Sequence, residues 1–421
     1  MLSYQHVYHA GNHADVLKHT TLVMLLEHLN AKHKPYTVID THAGSGRYNS
    51  DDERALKTRE ADSGIGKLLH DDFCDDGIAQ YNAMARDAAC GGESTVHAGA
   101  AQCTSFMHYR NFVKACCARG FYPGSPEIAR AFMRSDDNLI LCELHKAEFS
   151  ALKNNMKCPP VAVDADGAVA ENAGMNGTAN VVSAGTKNEI ARGEAGAVAM
   201  LSDFLCSAAN ATTPKIARGE ANAADTTLYV PRGFVQVHVH CRDGFDALTS
   251  LTPPKIKRGL VLVDPSYEDA DEYERVPLAF ASLAARWSSA IFALWYPLLF
   301  HRRIECSTMK QKIIARAKGS ARGCSIVCGE LCVNAENAHV ELPLAKKRKN
   351  AQSGLSMNNS VTQRWSDEYA ARADNPPRLY GSGMLIVNAP WKLAENMEAV
   401  LPYLAQTLGT DGHGSWSVDC Y

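Results

Sequence analysis

Four acidic residues stand at or just after the ends of hydrophobic segments of strand length in this chain of 421 residues. They are Asp40, Glu143, Asp243 and Asp264. Ligands of an open α/β sheet bind beyond the carboxyl ends of its strands, so carboxylates at four such ends indicate one shared site. Glu143 is placed to accept hydrogen bonds from a ribose diol, and Asp243 could accept from an exocyclic amine. Asp264 faces the space in which a reaction would take place.

The loop that follows Asp40 is rich in glycine, and it reads Thr41-His-Ala-Gly-Ser-Gly46. Gly44 and Gly46 allow a ligand to approach the backbone closely. The loop lacks the third glycine of the NAD fingerprint, and the absence of a following Gly-Lys-Ser/Thr excludes a P-loop. A strand followed by such a turn is typical of the entry to a nucleotide-binding α/β domain.

The tetrad Asp264-Pro-Ser-Tyr267 is the most specific motif. It resembles the [Asp/Asn/Ser]-Pro-Pro-[Tyr/Phe/Trp] motif of methyltransferases that use S-adenosylmethionine and act on exocyclic amines. Such an amine is a poor nucleophile, and hydrogen bonds to a carboxylate and a backbone carbonyl pull it toward pyramidal geometry. Asp264 and Pro265 would supply these acceptors, and Tyr267 would clamp the base by stacking, worth ~1–3 kcal/mol. Ser266 replaces a proline, which leaves the Pro265 carbonyl less restricted.

The elements that must position these residues alternate between strand and helix patterns. A helix is predicted from the cap-type residues Asn12 and Asp15 to Asn30, and another begins at Ser125-Pro-Glu127, with Ser125 as N-cap. Strands are predicted at 36–40, 139–143, 236–240, 259–264 and 290–295, and a final hairpin at 324–333 and 383–388. The alternation predicts a parallel sheet with helices on both faces.

We divide the chain into a catalytic domain, residues 1–48 and 121–421, and an inserted helical subdomain, residues 49–120. Residues 154–231 are dominated by Ala, Gly, Asn and Thr and twice contain Ile-Ala-Arg-Gly-Glu-Ala, which indicates a low-complexity insertion. A second insertion, residues 334–380, contains the basic run Lys346–Lys349. The run is typical of a solvated loop, and an RNA contact or a nuclear import signal is the functional alternative.

Composition narrows the class of protein. With 43 Lys+Arg and 46 Asp+Glu the net charge is −3, which excludes a surface that coats nucleic acid throughout but allows a local basic groove. No apolar run reaches the ~18 residues of a membrane span, and residues 1–20 lack a signal-peptide pattern. We therefore expect a cytoplasmic protein, with a nuclear one as the alternative through Lys346–Lys349. Cys324, Cys328 and Cys332 allow a metal reading, but free thiols are expected.

Beyond these motifs, segments at both ends and throughout the core resemble the RlmJ family of large-subunit ribosomal RNA adenine-N6 methyltransferases. They are Met1–Tyr4, His9–His19, Asp40–Gly44, Tyr122–Pro126, Glu143–His145, Asp243–Phe245, Trp295–Pro297, Ser382–Met384 and Pro390–Leu393. The resemblance fails over the two predicted insertions. It implies a Rossmann-like class I methyltransferase sheet with an inserted helical subdomain, and S-adenosylmethionine as cofactor.

The resemblance also assigns roles to individual residues. The cofactor would be held by His19, His42, Ser125, Glu143, Asp243, Gly244 and Asp264, together with Gly44 of the glycine loop. Asp264 is also the catalytic acceptor, with Pro265 and Tyr267 beside it. Tyr4, His6 and Lys18 would contact the substrate, and no metal is required.

The expected partner is ribosomal RNA, protein-free or at an early stage of assembly, and the expected state is a monomer. Two alternatives remain open. The protein could methylate adenine N6 in DNA or in another RNA, or it could be a catalytically idle nucleic-acid-binding protein of the same fold.

Overall fold

The computed structural model describes residues 4–69, 104–161, 163, 225–227, 234–319, 323–334, 379–410 and 412–421. Its strands are β1 (Thr37–Asp40), β2 (Arg47–Asn49), β3 (Phe121–Pro123), β4 (Asn138–Cys142), β5 (Asp225–Thr227), β6 (Gln236–His240), β7 (Gly259–Val263), β8 (Ile291–Leu298), β9 (Ile326–Cys332), β10 (Gly381–Val387) and β11 (Ser415–Cys420). Nine of them form one sheet in the order β11-β9-β10-β8-β7-β1-β4-β6-β5, while β2 pairs with β3.

The centre of the sheet is parallel, as the sequence predicts. Strand β1 pairs in parallel with both β4 and β7, and the parallel arrangement continues from β4 to β6 and from β7 to β8. The predicted final pair, β9 and β10, is present and antiparallel. The strand order and the helices around it confirm a Rossmann-like α/β fold.

The two edge strands of the nine-stranded sheet, and the separate β2–β3 pair, were not predicted from the sequence. Strand β11 pairs with β9 and alternates Trp416, Val418 and Cys420 with polar residues, a period-two pattern that could have been recognised. Strand β5 pairs with β6 and lies inside the predicted insertion 154–231, where few residues favour strands.

Side chains of the central strands alternate between two hydrophobic cores, one on each face of the sheet. In β7, Leu260 and Leu262 belong to the first core, whereas Val261 and Val263 belong to the second. All five residues of β7 are buried, which explains its continuous apolar run. Helices therefore cover both faces, as predicted.

The helices are α1 (His13–Asn30), α2 (Glu53–Thr58), α3 (Glu60–Ser63), α4 (Ile65–Leu69), α5 (Thr104–Cys117), α6 (Ser125–Phe132), α7 (Lys146–Asn155), α8 (Gly244–Leu251), α9 (Glu272–Arg286), α10 (Arg303–Lys318) and α11 (Leu393–Leu408). None of the helices within the described ranges is long and apolar enough to cross a membrane. Helix α1 begins at the predicted cap, since the Asn12 side chain accepts hydrogen bonds from the backbone N–H of Ala14 and Asp15. It is buried along most of its length, and its buried residues include the polar side chains of Asp15, Lys18 and His19.

Helices α2 to α5 fall within the predicted helical subdomain 49–120, and α5 contributes Phe106, Tyr109 and Phe112 to the same core as α1. Most of the predicted insertion 154–231, including both copies of the repeated hexapeptide, lies outside the described residues. The same holds for most of 334–380 and for the run Lys346–Lys349.

Candidate active site

The carboxyl ends of β7, β1, β4 and β6 lie side by side, because these strands are parallel neighbours in the sheet. The loops that follow them line a cavity of about 1000 Å³ including its open mouth, which we call the carboxyl-end pocket. Predicted site residues in its lining are Tyr4, His6, Lys18, His19, His42, Gly44, Ser125, Glu143, Asp243, Gly244 and Asp264.

A second cavity, which we call the adjoining pocket, shares part of this lining. Tyr4, His6, Lys18, Asp264 and Ser266 contribute to both cavities. The lining of the adjoining pocket also includes Trp295 and Pro297 of β8 and Leu299, which directly follows that strand. Asp264 therefore stands where the two cavities meet.

Glu143 joins the loops that follow β1 and β4. Its Oε2 accepts a hydrogen bond from the Gly44 backbone N–H at 2.8 Å, and its Oε1 accepts from the His145 backbone N–H at 2.7 Å. Burial raises the pKa of the Glu143 carboxyl above its ordinary value. The backbone bonds fix the carboxylate against the wall of the carboxyl-end pocket, where a second acceptor position on each oxygen can serve a ligand.

Asp243 has two tasks within the protein in addition to facing the pocket. Its Oδ1 accepts from the backbone N–H of Phe245 at 2.8 Å and of Asp246 at 3.2 Å, which caps α8. Its Oδ2 accepts from the Arg275 guanidinium at 2.9 Å. Burial opposes ionisation, but the hydrogen bonds from Arg275 and the backbone outweigh it and hold the pKa of Asp243 below its ordinary value. The adjacent Gly244 cannot carry a side chain, since an added Cβ would overlap the Thr41 carbonyl.

The predicted N-cap at Ser125 is wrong by one residue. Gly124 caps α6, and Ser125 is the first helical residue. The Ser125 hydroxyl instead donates to Asp40 Oδ2 at 2.7 Å, while the His42 backbone N–H donates to Asp40 Oδ1 at 3.2 Å. The Ser125 hydroxyl therefore donates to the buried Asp40 carboxylate, a strong acceptor, and does not cap the helix. Burial raises the pKa of Asp40 to about 6. The Asp40 side chain thereby connects two residues of the pocket lining, Ser125 and His42.

Two histidines in the pocket wall are uncharged at neutral pH. Burial lowers the pKa of His19 to about 3 and that of His42 to about 4. His19 Nδ1 shares a hydrogen bond with the Tyr122 hydroxyl at 2.9 Å, and His42 packs edge-on against Phe245. Both rings therefore offer neutral hydrogen-bonding groups.

Three ionisable side chains, Asp264, Lys18 and Asp15, form a continuous buried series. Lys18 Nζ lies 2.6 Å from Asp264 Oδ2 and 2.9 Å from Asp15 Oδ1, and all three side chains are largely buried. Burial of Lys18 and Asp15 opposes their ionisation. The two carboxylates nevertheless raise the pKa of Lys18, and His6 and Lys18 hold that of Asp15 well below its usual range. Lys18 and Asp15 therefore both carry charge at neutral pH.

The same Asp15 also connects the residues predicted to contact substrate. Its Oδ2 lies 3.0 Å from His6 Nε2, and His6 Nδ1 lies 2.9 Å from the Tyr4 hydroxyl. The Tyr4 ring stacks on His9 with centroids 5.6 Å apart. Tyr4, His6 and Lys18 thus form one hydrogen-bonded group around a single carboxylate.

The other three residues of the tetrad, Pro265, Ser266 and Tyr267, have different environments. Pro265 is buried, and Tyr267 adopts a left-handed backbone conformation with φ 54° that few non-glycine residues accept. The Tyr267 hydroxyl donates to the Trp295 carbonyl at 3.1 Å, and the ring packs against Tyr273 and lines the adjoining pocket. Ser266, in place of the motif's second proline, lines both cavities, and its hydroxyl lies 3.4 Å from Glu272 Oε2.

Asp15 has a larger role in the site than its sequence pattern predicts. We recognised it only as a cap-type side chain, and its Oδ2 does accept from the Gly11 backbone N–H at 2.8 Å. Its spacing of three residues from Lys18 and four from His19 places the three on one face of α1, a signal that could have identified it.

Among the residues that the structure describes, no group of three or more His, Cys, Asp or Glu side chains could hold a metal ion. Cys328 is buried, Cys324 and Cys332 are half-buried, and none of the three is in a disulfide bond.

Comparisons with known proteins agree with this architecture. A family model described as "Ribosomal RNA large subunit methyltransferase D, RlmJ" matches residues 33–111, 106–185, 231–318 and 346–421. A crystal structure of a Legionella pneumophila protein is similar with a TM-score of 0.55 and 22% identity over 98% of each chain, which supports the fold.

Two curated relatives bear the name "Ribosomal RNA large subunit methyltransferase J". The one from Haemophilus influenzae is 27% identical, and the alignment covers 100% of this chain and 98% of the relative. The one from Escherichia coli K12 is 28% identical, with 99% of each chain covered. Since the family model matches more than half of the chain, this protein belongs to the RlmJ family of ribosomal RNA large subunit methyltransferases.

Proposed function

We propose that this methyltransferase transfers a methyl group from S-adenosylmethionine to N6 of an adenine in large-subunit ribosomal RNA. The position of Asp264 at the junction of two cavities supports the proposal most strongly. A transfer enzyme needs donor and acceptor sites that meet at one point, and a carboxylate at that point suits an amine nucleophile.

The donor set of the carboxyl-end pocket fits S-adenosylmethionine. Glu143 and Asp243, at the ends of neighbouring strands, are suited to its ribose diol and its adenine amine. An added Cβ at Gly44 would overlap the Tyr48 hydroxyl, so the loop approaches this space with backbone alone. His19 and His42 are neutral and do not repel a cationic ligand. When bound, S-adenosylmethionine supplies a methyl group made electrophilic by its sulfonium.

Asp264 activates the amine by accepting its N–H. Lys18 occupies Oδ2, whereas Oδ1 has no protein partner within the described part of the chain and is free to accept. The Pro265 carbonyl is the second acceptor, which together with Oδ1 orients the nitrogen lone pair toward the donor pocket. The Asp264 carboxylate is also the nearest acceptor for the proton that the nitrogen loses after transfer.

The adjoining pocket suits the adenine. Tyr267 and Trp295 contribute aromatic side chains to its lining, and Tyr4 and His6 line both this pocket and the carboxyl-end pocket. Stacking holds a base without regard to the sugar, so it does not by itself distinguish RNA from DNA. The family membership favours ribosomal RNA over DNA, and we propose its protein-free or early-assembly form as the substrate. We assign Ser125 and Gly244, which also line the carboxyl-end pocket, to cofactor binding. We also propose that the protein acts as a monomer.

The test is methyl transfer from labelled S-adenosylmethionine to protein-free large-subunit RNA, with a DNA of the same sequence as the matched control. We expect labelled RNA whose nucleoside digest contains N6-methyladenosine, and an unlabelled DNA. Transfer to DNA alone, or to another position of the base, would disprove the proposal. If neither the RNA nor the DNA is methylated, only a nucleic-acid-binding role remains.

A further inference from the structure

The chain immediately after β8 carries an exposed aromatic residue beside the adjoining pocket. Leu299 lines that pocket, and the next residue, Phe300, begins a short 3-10 turn, Phe300–Arg302. Phe300 is 40% exposed, although large aromatic side chains usually lie in the core. Phe300 directly follows Leu299, so its Cα lies about 3.8 Å from that of a residue lining the cavity.

A guanidinium group accompanies this ring. The Arg303 Cζ lies 4.3 Å from the centroid of Phe300, and the Arg303 side chain donates to the Phe300 carbonyl at 3.2 Å. The neighbouring Arg302 is paired with Glu305 at 2.9 Å, but Arg303 has no carboxylate partner among the described residues. The Arg303 charge therefore remains available to an anion.

From these observations we propose that Phe300 and Arg303 bind the nucleotide that flanks the target adenosine in single-stranded RNA, which rests on the proposed function. An adenine that enters the adjoining pocket leaves the stack of its neighbours, so the flanking base loses a stacking partner. The ring of Phe300 replaces that partner, and Arg303 contacts the adjacent phosphate. A protein with a net charge of −3 needs such local cations to hold RNA.

A comparison of two exposed apolar residues tests the stacking role. Phe300→Ala should weaken the binding of a protein-free large-subunit RNA fragment about tenfold or more, while affinity for S-adenosylmethionine and the melting temperature stay unchanged. Ile304→Ala, four residues away and 70% exposed, is the matched control and should not change RNA affinity. Phe300→Tyr should retain the affinity because it keeps the ring.

Salt dependence tests the phosphate contact. Arg303→Gln should reduce the slope of log affinity against log salt by about 0.7, the value of one single-strand phosphate contact. Wild-type RNA affinity in both Phe300→Ala and Arg303→Gln, or an equal loss in Ile304→Ala, would overturn the inference. Because RNA binding is measured separately from methyl transfer, a wild-type protein that binds this RNA but does not methylate it would contradict the proposed function alone.

Discussion

Among single residues, Asp15 determines the charge balance around the Asp264 carboxylate. It holds Lys18 at 2.9 Å and His6 at 3.0 Å, and it is 1% exposed. Lys18 is shared between Asp15 and Asp264, so Asp264 does not have to balance the ammonium charge alone. The arrangement positions Lys18 and leaves one Asp264 oxygen free to accept the proposed amine substrate.

Asp15→Asn should therefore reduce both stability and turnover. Removing one partner of a buried ion pair costs ~3–5 kcal/mol, and Asn keeps the shape, so we expect a loss of about 3 kcal/mol in unfolding free energy at pH 7. The pKa of Asp15 is depressed in the folded protein, so this contribution is complete above the unfolded value near 3.8. It declines as the pH falls below that value and is lost once the pH has fallen through the folded pKa. Urea unfolding at pH 7 and at lower pH measures the difference.

Asp62→Asn is the matched control for this change. Asp62 also pairs with a cation three residues away, Arg59, but both side chains are more than half exposed. Surface pairs contribute little, so unfolding and methyl transfer should stay at wild-type values. Equal behaviour of the Asp15 and Asp62 variants would contradict the role assigned to Asp15.

At the scale of elements, Asp40 connects the end of β1 to the first turn of α6 through Ser125. Its pKa of about 6 means that the native state retains a proton that the unfolded chain, with a value near 3.8, has already released. The contribution of Asp40 to stability is therefore greatest below pH 4 and is lost as the pH rises through 6.

Asp40→Asn imitates the protonated acid, so the variant should be more stable than wild type at pH 7.5 by about 2–3 kcal/mol. Near pH 4 the two proteins should unfold alike, and urea titrations at both pH values provide the comparison. A variant less stable than wild type at pH 7.5 would show that the charged form is the favoured partner of Ser125.

The sequence was sufficient for the elements whose pattern is local. The buried run of β7 and the acidic residues Glu143 and Asp264 were predictable, because parallel strands must present their carboxyl ends at one edge. The Lys18–Asp264 pair was not, since 246 residues separate its members and only the folded sheet brings them together. Likewise, Ser125 has the residue type of a cap, and only the buried Asp40 explains why it is not one.

In the molecule as a whole, the family membership indicates ribosomal RNA methylation. Two adjoining cavities, both lined by Lys18 and Asp264, are consistent with that activity. The family model leaves residues 1–32, 186–230 and 319–345 unmatched, and the last two ranges overlap parts of the two predicted insertions. The predicted catalytic residues all lie in matched segments, so the insertions are not needed to explain the chemistry.

We infer that Asp264 activates the amine, and the rate of single-turnover methyl transfer to large-subunit RNA measures that role. Positioned electrostatic groups of this kind supply ~10²–10³ in rate, so Asp264→Ala should slow transfer by about that factor while the protein still unfolds cooperatively. The control is Asp271→Ala, an exposed acid seven residues away that makes no side-chain cap of α9, and it should react at the wild-type rate. A wild-type rate of transfer in Asp264→Ala would contradict the mechanism.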